Sequence, residues 1–209
     1  MRTIPFTEPE HGRDAAEATV DVVRRAGVVL VPTETFYGLA ADPASEASVE
    51  AVHRLKRRPP DRALPVLCAD HDQVASLVDL PDRFRVRLGR IWPGPLTAVL
   101  RLRRPLAACP DGTVAVRIPA HGLLRAVLYR TGPLTGTSAN RHGEPPRSTA
   151  TEAAASLDGT PDLVLDGGPT AGGLASTVVD LTGPEPRVLR HGPVEWEPAA
   201  PGPGTTSTT

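Results

Sequence analysis

One lysine, Lys56, stands among 22 arginines, and the chain also holds one asparagine, Asn140, and one glutamine, Gln73. Alanine, arginine, proline and glycine dominate, as GC-rich coding would produce, and such a bias replaces lysine by arginine wherever the two are interchangeable. A lysine kept in this background marks a place for a compact ammonium that a planar guanidinium does not fill; chance survival is the alternative. It lies in HRLKRRPPDR (53–62), where Lys56, Arg57, Arg58 and Arg62 gather at a helix end and run into Pro59-Pro60. Cations there complement the helix dipole. Concentrated at one mouth, they also suit a triphosphate, with lysine as point charge and arginine as bidentate fork; a solvated basic face is the alternative. No GxxxxGK[ST] run occurs, so the chain has no P-loop.

Other polar groups fall where α/β proteins place ligands. PTETFYGLAAD (32–42) follows an apolar run and sets Thr33, Thr35 and Tyr37 at a strand end, a usual ligand position and equally a hydrogen-bonded turn. GTSANRHGEPP (136–146) offers Thr137, Ser138 and Asn140 within four residues, donors and acceptors for phosphate or ribose oxygens or an Asx-type turn. Arg117 sits in the otherwise apolar VAVRIPAH (114–121) and needs an anionic partner, either a protein carboxylate or a substrate carboxylate, with the substrate preferred. GGLASTVVD (172–180) opens a strand with Ser176 and Thr177, RVLRHG (187–192) ends one with Arg190, and WPGPLT (92–97) reads as a rigid architectural turn. His53, His71, His121, His142 and His191 are scattered without metal-ligand spacing, and no Ser-His-Asp or Cys-His order stands out. A metal, if used, would be Mg²⁺ held by nucleotide phosphates.

These groups need a framework. Helical spacing predicts helices over 13–26 (ending at Gly27), 45–56, a short one from Asp70, 81–91, 120–130 and 148–157. Apolar or alternating runs predict strands at 28–31, 64–69, 96–102, 113–118, 133–140, 162–166, 176–181 and 187–190. The order is α/β without the strict alternation of a doubly wound sheet. A chain of 209 residues buries a real core, and one domain is expected, over 13–192. The low-complexity stretch 193–209 is expected to be a disordered tail. The net charge of −1 excludes a polybasic nucleic-acid coat as the whole function. No apolar run approaches the ~18 residues of a membrane span. The first residues lack a signal-peptide layout, and Cys68 and Cys109 form no CxxC, so a cytoplasmic protein with incidental thiols is expected.

Taken in order, PTETFYGLAAD, the KxR of Lys56 and Arg58, PGPLT, AVRIP, the SxN of Ser138 and Asn140, STVVD and the RxG of Arg190 and Gly192 resemble the YrdC family. The similarity is to its short, single-domain threonylcarbamoyl-AMP synthases, and spans about residues 20–192. The lone lysine and lone asparagine both fall on motif positions. The resemblance implies a single-domain α/β fold: a twisted mixed sheet with flanking helices and a basic concave face. It implies synthesis of L-threonylcarbamoyl-AMP and pyrophosphate from L-threonine, bicarbonate (or CO₂) and ATP, for tRNA threonylcarbamoyladenosine modification. By the same resemblance Thr33, Tyr37, Arg117, Ser138 and Ser176 would hold threonine. Lys56, Arg58, Asn140, Ser148 and Arg190 would hold ATP, and Lys56, Arg58, Ser138 and Asn140 would carry catalysis. Implied partners are a downstream threonylcarbamoyl transferase complex and weakly bound tRNA, with no membrane. Ala63 and His142 depart from the family pattern, which has proline and serine there. Two other readings stay open: a carbamoyl-adenylate-forming relative, and a non-catalytic RNA-binding module.

Overall fold

A computed structural model describes residues 2–196. Its elements in chain order are β1 (Arg2–Pro5), α1 (His11–Arg24), β2 (Val29–Val31), β3 (Gly38–Ala40), α2 (Glu46–Lys56), β4 (Val66–Leu67), α3 (His71–Leu77), β5 (Val78–Asp79) and α4 (Asp82–Ile91). They continue with β6 (Leu96–Leu102), β7 (Thr113–Arg117), α5 (Gly122–Thr131), β8 (Leu134–Thr135), β9 (Thr137–Ser138), α6 (Ala150–Ala155), β10 (Leu163–Asp166), β11 (Thr177–Asp180) and β12 (Arg187–Arg190).

The fold is mixed α/β, as expected, but it holds two sheets where one was expected. The first has the order β1-β10-β2-β3-β9. Here β1, β10 and β2 run parallel, and β3 is antiparallel to β2 and β9. The second, of seven strands, runs β12-β11-β6-β7-β4-β8, with β5 added to β6. The chain passes between them at Gly136, the residue between β8 and β9, where a Cβ would overlap the Leu67 side chain. That close approach requires glycine at 136 and sets the next residues, through Asn140, along the gap between the sheets.

Helix limits follow side-chain chemistry. Ser45 caps α2 by accepting from Ser48 N at 3.2 Å, and Asp70 caps α3 by accepting from Gln73 N at 2.8 Å. Thr149 caps α6 by accepting from Glu152 N at 3.3 Å, and its hydroxyl donates to the Glu152 carboxylate at 2.9 Å. α2 stops because Arg57 turns left-handed at φ 48°, ahead of two prolines. At the end of α1 it is Ala26 that takes the left-handed conformation, at φ 59°. Gly27 is needed for space, since its Cβ would meet Val22 and Asp162.

β2 is buried on both sides. Val29 and Val31 face a core beneath α1 and α5 that includes Phe6, Val22, Leu124, Leu128 and Leu165. Leu30 faces the larger core, with Leu39, Val52, Val66, Leu88, Leu100 and Val116. A run of apolar residues without alternation is what two covered faces require.

Three short strands escaped the sequence reading: β1, β3 and β5. β1 is an edge strand of exposed and proline-bearing positions, β3 is three residues led by glycine, and β5 is two residues long. Residues 194 and 196, inside the stretch expected to be a tail, make contacts with the rest of the chain. Thr177 Oγ1 donates to Val194 O at 2.6 Å, and Val194 N donates to Thr177 Oγ1 at 3.1 Å. Trp196 meets Phe84 edge-on at 6.3 Å, with the Arg87 guanidinium 4.2 Å from its ring centre. From 197 onward the expected tail lies outside the described residues.

Because Leu30 is fully buried, Leu30→Ala is expected to lower unfolding free energy by about 2–5 kcal/mol in denaturant titration. Val86→Ala, at a side chain 67% exposed, should stay within about 0.5 kcal/mol.

Candidate active site

A cleft of about 490 Å³ is lined from both sheets and from the loop after Gly136. Nine of the ten residues that the resemblance assigned to the site line it: Thr33, Tyr37, Lys56, Arg58, Arg117, Ser138, Asn140, Ser176 and Arg190. Ser148 is not brought to its wall; the Ser148 carbonyl accepts from Thr170 N at 2.8 Å.

The end of α2 divides its cations. Lys56, the last helical residue, points into the cleft and is 2% exposed. Its ammonium donates to the carbonyls of Ser138 and, at 2.8 Å, Asn140. The left-handed turn at Arg57 sends that side chain to Asp158, 2.7 Å away, and returns Arg58 to the cleft, where its Nη2 donates to Ala63 O at 2.9 Å. The expected four-cation mouth is therefore two cations: neither Arg57 nor Arg62 lines the cleft. Ala63 offers Arg58 its carbonyl while its side chain packs on the larger core, so the departure from proline leaves Arg58 its acceptor. His142 lines the cleft, and His142 N donates to Lys56 O at 2.7 Å.

Asn140 is held by its own amide. Nδ2 donates to Arg141 O and Glu144 O, each at 2.8 Å, which leaves Oδ1 buried with no partner among the described residues. A flipped amide would turn Oδ1 onto two carbonyls, so the cleft is offered an acceptor, which calls for an N–H or O–H donor.

A second cluster centres on Arg117. Its Nε donates to Gly94 O at 3.2 Å, and Nη2 lies 2.5 Å from Glu34 Oε1. Arg190 Nε donates to Ser176 O at 2.9 Å and Nη2 to Ser176 Oγ at 3.1 Å; Ser176 Oγ also lies 2.8 Å from Thr97 Oγ1. Burial, and then the charge of Arg117, lowers the pKa of Arg190. Gly192, just after β12, lets the chain pass closely here, since a Cβ would overlap the backbone of Ala175, Ser176 and Thr177.

Two predicted residues have their hydroxyls engaged. Thr33 Oγ1 donates to Phe36 O at 2.8 Å and accepts from Thr35 N and Phe36 N, so the turn reading of this segment holds. Tyr37 donates to Gly168 O at 2.7 Å and accepts from Gly167 N at 3.1 Å. Burial pushes its phenol up to about 12.

Glu34 and Thr97 were missed. The signal for Glu34 was present: an arginine in an apolar strand needs an anion, and Glu34 is the carboxylate between two predicted cleft residues. Thr97 lay in a turn read as architecture, and that same turn also supplies Gly94 O to Arg117. Among the described residues, no cluster of three histidine, cysteine or acidic side chains could hold a metal ion, and no helix is long and apolar enough to cross a membrane.

This combination defines a class, an α/β protein whose two sheets frame a cleft carrying Lys56, Arg58, Arg117 and Arg190, suited to binding anionic small molecules together. The chain belongs to the Sua5/YciO/YrdC family, whose model, described as "Telomere recombination", matches residues 21–192. A Mycobacterium tuberculosis protein is 34% identical over 199 residues, covering 93% of this chain and 92% of its own. The threonylcarbamoyl-AMP synthase of Pyrococcus abyssi is 36% identical over 180 residues, covering 84% of this chain and 53% of its own. The crystal structure of P. abyssi Sua5 complexed with L-threonine matches with a TM-score of 0.83 at 34% identity, over 92% of this chain and 58% of that one. Escherichia coli YciO matches with a TM-score of 0.80 at 26% identity, over 93% and 96%.

Burial, and then the charge of Arg58, pull the Lys56 ammonium down to about 8 from an ordinary 10.5. Between those values the unfolded chain binds more protons than the folded one, so this group makes stability rise with pH across the window. Denaturation of wild type and Lys56→Met across pH 8 to 10.5 should show their stability difference moving toward wild type. A constant difference would mean that Lys56 does not titrate there.

Proposed function

We infer that this chain is an L-threonylcarbamoyladenylate synthase, making threonylcarbamoyl-AMP and pyrophosphate from L-threonine, bicarbonate (or CO₂) and ATP. The observation that carries this reading is the pairing, in one cleft of a family member, of the Lys56–Arg58 cations with the Arg117–Ser176–Arg190 cluster. The first suits a polyphosphate; the second suits the carboxylate and hydroxyl of a small amino acid.

In this reading the threonine amine takes up bicarbonate as a carbamate, releasing water. A carbamate oxygen attacks the α-phosphorus, a new O–P bond forms, the bond from that phosphorus to the bridging oxygen breaks, and pyrophosphate leaves. Two anions must approach, and fixed cations that need no reorganisation lower that barrier. Lys56 and Arg58 supply that charge. Arg117 takes the amino-acid carboxylate, with Ser176 and Ser138 beside it and Thr33 and Tyr37 shaping the wall. Asn140 receives a donor from the nucleotide or amino acid, and Arg190, bonded to Ser176, stands between the two substrates. No protein nucleophile is required, and positioning can supply roughly 7–11 kcal/mol. A Mg²⁺ ion would be carried in by the phosphates, since the cleft lining is cationic apart from Glu144. The product would pass to a threonylcarbamoyl transferase acting on tRNA, with weak tRNA contact and a cytoplasmic location belonging to the same reading.

Pyrophosphate release from ATP with bicarbonate, with and without L-threonine and with serine as control, tests this. Release that requires threonine and bicarbonate is expected. Release without amino acid, driven by carbamoyl phosphate, would replace the reading with carbamoyl-adenylate synthesis, and no release would end it. Lys56→Met should cost on the order of 10²-fold in kcat. Lys56→Arg should not restore it, because a planar fork is not a point charge. Arg117→Ala should raise the threonine KM more than the ATP KM; equal rises would remove its carboxylate role.

A further inference from the structure

Thr33 and Thr35 line the cleft, but Glu34 between them does not. The Thr33-centred turn, with Thr35 N and Phe36 N donating to Thr33 Oγ1, directs the intervening side chain behind the wall. Both Glu34 oxygens are buried and make no hydrogen bond among the described residues, and Oε1 stands 2.5 Å from Arg117 Nη2. Arg117 is the one cation within ion-pair distance of Glu34 among the described residues. His121 is near enough to feel this carboxylate, but burial holds its imidazole below the ordinary range. Its Nδ1 accepts from Leu124 N at 3.2 Å, and its ring stacks on Phe6 at 5.8 Å.

The guanidinium of Arg117 is thus held from two directions, Nε by Gly94 O and Nη2 by Glu34. The edge left for a ligand is the one that carries Nη1. We propose that Glu34 is a positioning residue for the amino-acid substrate, orienting Arg117 so that this edge faces the substrate carboxylate and offsetting its repulsion with Arg190. The proposal rests on the synthase reading. It explains why a carboxylate is spent behind a site that must bind anions. Without it, two neighbouring guanidiniums would share one wall uncompensated, and Arg117 would be free to swing toward any phosphate. Unopposed charge would raise general anion affinity; held charge selects the anion that fits.

The test is steady-state pyrophosphate release with threonine and ATP varied separately, in wild type, Glu34→Gln, Glu34→Asp, Arg117→Ala and the Glu34→Gln/Arg117→Ala double variant, each checked for folding by thermal melting. Glu34→Gln is expected to raise the threonine KM by about tenfold or more, the loss typical of a charge-assisted contact, with the ATP KM within about twofold. Glu34→Asp should recover part of the loss. The double variant should have the threonine KM of Arg117→Ala, because Glu34 acts only through that side chain. An unchanged threonine KM in Glu34→Gln, equal rises in both KM values, or a further loss in the double variant would overturn the proposal. If Glu34→Gln alone fails to fold, comparison of the double variant with Arg117→Ala decides, since it no longer buries an unpaired charge. Wild-type enzyme that shows no threonine dependence would instead defeat the synthase reading.

Discussion

The contact on which the cleft depends is the ammonium of Lys56 set against the carbonyls of Ser138 and Asn140. Among the described residues nothing anionic pairs with that ammonium. Burying it is unfavourable, and two backbone oxygens offset the loss of water only in part. The contact joins the C-terminus of α2 to the loop that has just crossed from one sheet to the other at Gly136, so helix, loop and both sheets meet at one charged atom. A lysine used this way has a further N–H to offer the cleft. It does two jobs, holding the SxN loop in place and presenting charge to whatever binds.

The second cluster solves a related problem with other means. Two guanidiniums brought to one wall from β7 and β12 repel, and the fold answers with Glu34 behind one and the Ser176–Thr97 hydroxyl pair beside the other. Each cation is tied to at least one backbone carbonyl: Lys56 to Ser138 and Asn140, Arg58 to Ala63, Arg117 to Gly94, and Arg190 to Ser176. Carbonyls orient a cation without cancelling its charge, which a carboxylate would do. A cleft meant for anions is therefore built mostly from neutral acceptors, with the one carboxylate partner kept out of the lining.

Much of this was readable in the chain itself. Composition singled out Lys56 and Asn140, and spacing placed most helices and the longer strands. Where the reading failed, three-dimensional packing had decided. The change of sheet between β8 and β9 falls at Gly136, packed against Leu67, a contact invisible to periodicity. β3 is short and glycine-led, so no alternation marks it. Arg57 and Arg62 share their charge with Arg58, but the left-handed turn that separates them is a backbone event. Ser148 follows the SxN loop closely in sequence, yet its carbonyl is drawn to Thr170. Glu34 illustrates the opposite case: both halves of its pair were in view, and only the choice between protein and substrate as the partner of Arg117 was open.

Gly192 and Ala63 bound what this site can become. At 192 the chain passes so close to residues 175–177 that no Cβ fits, and every other amino acid has one. No mutational step out of glycine is neutral there. Position 63 gives the cleft only a main-chain oxygen, which alanine and proline possess alike. Substitutions can accumulate at the second without touching the chemistry, while the first is closed to drift, although neither side chain would ever meet a substrate.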